Sequence, residues 1–117
     1  MLYKVLDVPE FSRTLLKLGR KYPSAIDIVD SFFEDLEAGT LKGVPVPRLK
    51  LKGDRVYKTR LDNPDANKGT KGGFRIIYYL VTSENEIYPL TIYSKSDTED
   101  ISPKEIMRMV QSYIKKV

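Results

Sequence analysis

The chain has 117 residues, 41% of them hydrophobic and 31% charged, with no Cys and no His; this fits one small domain with one core and excludes disulfides, thiolate chemistry, the usual zinc sites and any triad or dyad built on histidine. The net charge of +4 is unevenly placed: residues 1–40 carry −2, residues 41–75 carry ten Lys/Arg against three Asp/Glu, a net of +7, and residues 76–117 carry −1. A cation excess confined to the middle third points to a localised polyanion site rather than an evenly solvated lysine surface, while no apolar run reaches the length of a membrane span and the N-terminus lacks a signal-peptide core, so a cytoplasmic protein without membrane contact is expected.

Leu2 to Leu6 reads as a short first strand. Asp7-Val8-Pro9-Glu10 reads as a helix start, with Asp7 as cap, Pro9 in the first turn and Glu10 three residues after the cap. Phe11, Leu15, Leu18 and Tyr22 then recur at helical spacing over 9–21, and Pro23 ends the helix because the residue before a proline avoids helical dihedrals. A second helix over 24–38 carries a stripe of Ile26, Val29, Phe32, Phe33 and Leu36, with Gly39 as its stop. The two form a helical hairpin whose stripes belong to the core.

Thr40 to Asp54, broken by Gly43, Pro45, Pro47 and Gly53, reads as a long connection bearing Lys42, Arg48, Lys50 and Lys52. Arg55 to Leu61 alternates: Val56, Lys58 and Arg60 on one side, Tyr57, Thr59 and Leu61 on the other. Two cations on one strand face are costly to bury, so that face is expected to be open or functional. Asp62 to Gly73 is a polar loop in which Lys68, Lys71 and the Gly72-Gly73 pair lead to Arg75, a composition suited to anions although the order of a P-loop is absent. Phe74 to Val81 and Ile87 to Lys95, rich in Ile, Tyr, Val and Thr and joined by a short polar turn, read as a β-hairpin. Arg75, Ile77 and Tyr79 share one face. Thr91, Tyr93 and Lys95 share a face opposite Leu90 and Ile92, and Pro89 marks a bulge or an unpaired position. Ser102-Pro103-Lys104-Glu105 starts a last helix, over 103–116, with Ile106, Met109, Val110, Tyr113, Ile114 and Val117 as its stripe. The elements describe an α+β domain: a helical hairpin and a C-terminal helix on a mainly antiparallel sheet of about four strands.

A basic loop followed by GGFRIIYYL, a turn, YPLTIYSKSD and an acidic residue before a C-terminal helix resembles the RelE/HigB superfamily of bacterial toxins, which belong to type II toxin–antitoxin modules. The resemblance covers most of the chain. It implies a RelE-like fold with helices on one face of a twisted sheet and a concave basic surface on the other. It also implies one of two activities: cleavage of mRNA on the ribosome, or, as in ParE-type members, inhibition of a protein target such as DNA gyrase. A cognate antitoxin is the implied partner, beside the ribosome and mRNA, with no cofactor and no metal. Lys58 and Arg60 stand where RelE-type nucleases place strand lysines, Arg75 at the family's arginine of the next strand, and Lys95 at a basic residue after the fourth strand. The chain departs from the pattern at Ser96, where another arginine is usual, and at Ser102, where a tyrosine is usual. Tyr93 is then the phenol available from a different position.

The resemblance thus points catalysis to Arg75, Tyr93, Lys95, Lys58 and Arg60, while the cation excess of the middle third adds Lys68, Lys71, Lys50 and Lys52 as the RNA-binding residues. Cleavage by the 2′-OH needs a base, cations for the charged transition state and an acid for the leaving 5′-oxygen. Without histidine, Lys58 or Lys68 serves as base only if neighbouring cations lower its pKa. Arg60 and Arg75 are fixed charges, and Tyr93 either donates a proton or stacks on a base.

Overall fold

The computed structural model describes residues 2–65, 73–98 and 100–114. Its elements run β1 (Lys4–Val5), α1 (Pro9–Lys21), α2 (Ala25–Glu37), β2 (Val44–Pro45), β3 (Arg55–Leu61), β4 (Phe74–Val81), β5 (Glu86–Ser94) and α3 (Pro103–Ile114). The strands form one sheet in the order β1-β5-β4-β3-β2. β1 is parallel to β5 and every other pair is antiparallel, so the domain is α+β with a mixed five-stranded sheet.

The strand beyond the four expected is β2, inside the segment read as a connection. It is two residues long and contains Pro45, which an edge strand tolerates because a ladder bond is not needed there. It pairs antiparallel with β3, Val44 opposite Lys58 and Pro45 opposite Tyr57, and Val46 N–H donates to the Val56 carbonyl at 2.8 Å. Side chains fix the segment that leads into it: the Thr59 hydroxyl and the Tyr78 phenol both donate to the Lys42 carbonyl, at 2.8 and 2.6 Å. Gly43 makes this approach possible. Its φ is +109°, and a Cβ there would strike Thr59 Oγ1 and lie 2.7 Å from the Lys58 carbonyl oxygen.

The helix ends follow local chemistry. Pro9 opens α1, but its N-cap is Val8 in extended conformation and not Asp7; the Asp7 carboxylate instead accepts the Ser12 hydroxyl at 3.4 Å. At α3 the expected cap is present, with Glu105 N–H donating to Ser102 Oγ at 3.2 Å. α2 ends in a complete glycine motif: Gly39, at φ +99°, donates to the Leu36 carbonyl, and Thr40 N–H to that of Asp35. Ile26, placed by its spacing on the core stripe, is 37% exposed, and Ala25 takes the buried place.

The hairpin of α1 and α2 covers one face of the sheet, where Phe11, Val29, Phe32 and Leu36 meet Tyr57, Phe74, Ile76, Tyr78 and Ile92. Those strand residues alternate with a second set, Val56, Ile77, Tyr79 and Tyr93, which packs with Leu49 and with Ile106 and Val110 of α3. α3 therefore lies on the opposite face from the hairpin, whereas the resemblance implied helices on one face alone. The side chains beyond Ser112 lie outside the described residues, as do the last residues of the expected helix.

Pro89 marks a bulge, as its missing donor requires. Ile77 pairs with Thr91 while Tyr78 pairs with Pro89, so Leu90 is the extra residue. The bulge turns Leu90 to the same face as Tyr93; the strict alternation expected from sequence put it opposite.

Candidate functional site

The open end of the α3 face is set by strand register. Arg60 on β3 is the cross-strand partner of Arg75 on β4, and Arg75 is the partner of Tyr93 on β5. Val56, Lys58 and Arg60 share one side of β3, as alternation demands. Val56 is buried, Lys58 half-buried and Arg60 exposed, so cover over this face thins along the strand. There Lys58, Thr59, Arg60, Arg75, Lys95 and Asp100 line a depression of about 570 Å³, with Gly43 and Val44 of the edge strand as its outer wall. Arg75 is only 5% exposed, and its Nη1 donates to the Phe74 carbonyl at 3.3 Å.

Asp100, in the segment between β5 and α3, joins three of these groups. Its Oδ1 accepts from Lys58 Nζ at 2.9 Å and from the Tyr93 hydroxyl at 3.1 Å, and its Oδ2 lies 3.1 Å from Lys95 Nζ. The Lys58 and Lys95 hydrogen bonds hold the Asp100 carboxyl far below the usual carboxylate range. Burial pulls the Lys58 ammonium down, but the bond to Asp100 and the nearby Tyr93 phenol outweigh it and the net shift is upward. Lys58 is therefore held as a cation in this arrangement, the opposite of what a general base requires. Burial raises the Tyr93 phenol, against the lowering effect of Lys58, so this hydroxyl keeps its proton at neutral pH.

Five residues singled out in the sequence thus meet: Lys58, Arg60, Arg75, Tyr93 and Lys95. Two details differ from expectation. β5 ends at Ser94, so Lys95 reaches the site from the following turn, its N–H bonded to the Gly73 carbonyl at 3.0 Å. The Tyr93 ring is buried, at 5% exposure, among the residues under α3. It presents only its hydroxyl to the site and offers no face on which a base can stack.

Lys50 and Lys52 are not part of the depression. They lie in the connection before Arg55, at the other end of β3, and at about 3.3 Å per strand residue this is roughly 17 Å from Arg60. Arg48, Lys50 and Lys52 all have left-handed backbones, with φ of 67°, 53° and 49°. The alternation turns these three cations outward, while Leu49 and Leu51 between them join the core under α3. Lys68 and Lys71 lie outside the described residues.

Asp100 is the residue that the sequence reading missed. The acidic run before Ser102 held the signal, since two strand cations in a half-buried setting call for a counter-charge. Proximity in sequence does not say which acid supplies it. Asp97 goes elsewhere, accepting Lys21 Nζ at 2.8 Å and the Tyr22 hydroxyl at 2.9 Å from α1. Among the described residues no cluster of three acidic side chains offers itself as a metal site, and none of the helices is long and apolar enough to cross a membrane. No protein-family model matches the chain.

Proposed function

We propose that the protein is a toxin of the RelE/HigB type that cleaves mRNA on the ribosome, with the depression over β3, β4 and β5 as its active site. The observation that supports this reading is the convergence of four cations, Lys58, Arg60, Arg75 and Lys95, on one open depression, with a neutral buried phenol bonded to Asp100 at its wall.

In this reading the O2′ of a ribose bonds to the adjacent phosphorus, the P–O5′ bond breaks, and the products are a cyclic phosphate and a free 5′-hydroxyl. Arg60 and Arg75 stabilise the charge that grows on the phosphate oxygens, since guanidinium stays protonated throughout. Tyr93 gives its proton to the leaving O5′, and the 2′-OH proton passes to water. Lys58 and Lys95 act as positive charges and not as bases. The ribosome fixes the backbone in an in-line geometry, which an open depression on a small domain does not itself impose. The acidic, partly disordered segment of an antitoxin is the natural neutraliser, because it folds against the +7 middle third.

The test is the profile of mRNA 5′ ends after a brief pulse of expression. New 5′-hydroxyl ends within translated frames support the nuclease. Growth arrest with intact messages turns the assignment to an inhibitor of a protein target, and normal growth with intact messages rejects the toxin reading.

A further inference from the structure

We infer that Asp100 is a built-in occupant of an anion seat formed by Lys58, Tyr93 and Lys95, and that a phosphodiester displaces it on binding. The inference takes its ligand class from the function proposed above, but it rests on its own geometry. Both carboxylate oxygens are engaged, Oδ1 by Lys58 and Tyr93 and Oδ2 by Lys95, much as phosphate oxygens would be, the non-bridging ones by the two lysines and the leaving O5′ by the Tyr93 hydroxyl. The carboxylate is the outermost member of the group: its side chain is 53% exposed, against 29% for Lys58 and 36% for Lys95. A rotation about its own side-chain bonds moves it into water and leaves the donors in place. Exposed ion pairs contribute little each, so an anion with more oxygens, which also reaches Arg60 and Arg75 across the same depression, replaces it favourably.

Two consequences separate this arrangement from a carboxylate that stays and merely orients its neighbours. A resident carboxylate would set its own charge against that of an incoming phosphate. It would also keep the Tyr93 hydrogen, which is donated to Oδ1 and is then unavailable to a leaving oxygen. Displacement removes both obstacles. Until then Asp100 screens two lysines that would otherwise repel each other, and holds both aimed at one point.

The test measures the Kd of an uncleavable 2′-O-methyl oligouridylate hexamer for the full chain and for Asp100→Asn and Asp100→Ala, with circular dichroism as the check on folding. With no carboxylate to dislodge from Lys58, Tyr93 and Lys95, binding is expected to tighten about tenfold in both variants. Asp97→Asn, in the same loop but turned to α1, is expected to change Kd by less than about twofold, and adding Lys58→Gln to Asp100→Asn is expected to abolish the gain. Unchanged or weaker binding by Asp100→Asn and Asp100→Ala overturns the inference, as does an equal gain from Asp97→Asn, which would reduce the effect to net charge. Failure of the nuclease reading is seen separately: intact mRNA on ribosomes alongside the tenfold gain would leave the seat and reject the reaction.

Discussion

Arg75 and Tyr93 are direct cross-strand partners on β4 and β5, and that pairing sets buried guanidinium beside buried phenol at the edge of an otherwise apolar face. Arg60 continues the row onto β3. The row lies at the end of the sheet that α3 leaves open, so Arg60 meets solvent while Arg75 and the Tyr93 ring are packed. A site of this kind needs no separate scaffold, because the antiparallel register brings residues from three strands to one line.

Arg60→Ala is expected to lower the slope of log affinity against log salt for ribosomes or RNA by about one unit, the contribution of one phosphate contact, and to leave the unfolding midpoint in place because the side chain is exposed. Arg75→Ala is expected to reduce both, since its stem is buried and its guanidinium bonds to a backbone carbonyl. Titration at several salt concentrations, paired with urea denaturation, separates the two. An unchanged salt slope in both variants would mean that neither cation contacts a phosphate.

The edge strand should depend on Gly43. Gly43→Ala forces a left-handed alanine and a collision with Thr59 and the Lys58 backbone, and is expected to cost roughly 1–3 kcal/mol. Gly53→Ala is the control: φ there is +97°, but a Cβ meets nothing within 4 Å, so only the backbone term of about 1–2 kcal/mol applies. Denaturant midpoints of the two variants should differ in that order, and equal midpoints would show that the contact at Gly43 relaxes.

Acid and alkali should both act on the Asp100 cluster. The carboxyl titrates lower in the folded chain than in the unfolded one, where it lies near 3.9, so the unfolded state binds more protons as pH falls and stability falls with it. This contribution is present above that unfolded value and is lost as pH falls through the folded one. Lys58 is shifted the other way, so its share is present below its ordinary value of 10.5 and lost as pH rises through the raised one. The stability difference between the wild type and Asp100→Asn should therefore be flat around neutrality and shrink at both extremes. A difference that grows in acid would contradict the shifts.

Much of this was legible in the sequence. Pro9, Pro23, Gly39 and the Ser102-Pro103 pair set helix ends by local rules, and strand alternation put Lys58 and Arg60 on one side and Arg75 on the site face. What failed to show had non-local causes. β2 arises from pairing with β3 and from the bonds of Tyr78 and Thr59 to one carbonyl of the segment before it, and two residues have no periodicity to read. The bulge at Leu90 was signalled by Pro89, but its consequence for the face of Leu90 depends on the partner strand. Lys52 and Lys58 are six residues apart in a basic stretch, yet an extended strand carries one away from the other. Asp100 was hidden because the choice between it and Asp97 is made by where α1 lies.

The sharpest expectation concerns the hydroxyl of Tyr93. Its ring is packed with Ile106 and Val110 under α3, so Tyr93→Ala opens a cavity and is expected to destabilise the fold by about 3–5 kcal/mol; loss of activity in that variant says nothing about chemistry. Tyr93→Phe keeps the ring and removes the hydroxyl with its contacts to Asp100 and Lys58, which should cost about 1 kcal/mol. If the phenol is the acid, mRNA cleavage should fall by ~10²–10⁴-fold while the unfolding midpoint barely moves and ribosome affinity is retained. Affinity and cleavage falling together would make the hydroxyl a binding group. Full toxicity of a folded Tyr93→Phe would remove Tyr93 from the chemistry, and the proton for O5′ would then have to come from Lys58 or Lys95, a choice that Lys58→Arg and Lys95→Arg resolve because arginine keeps the charge and holds its proton.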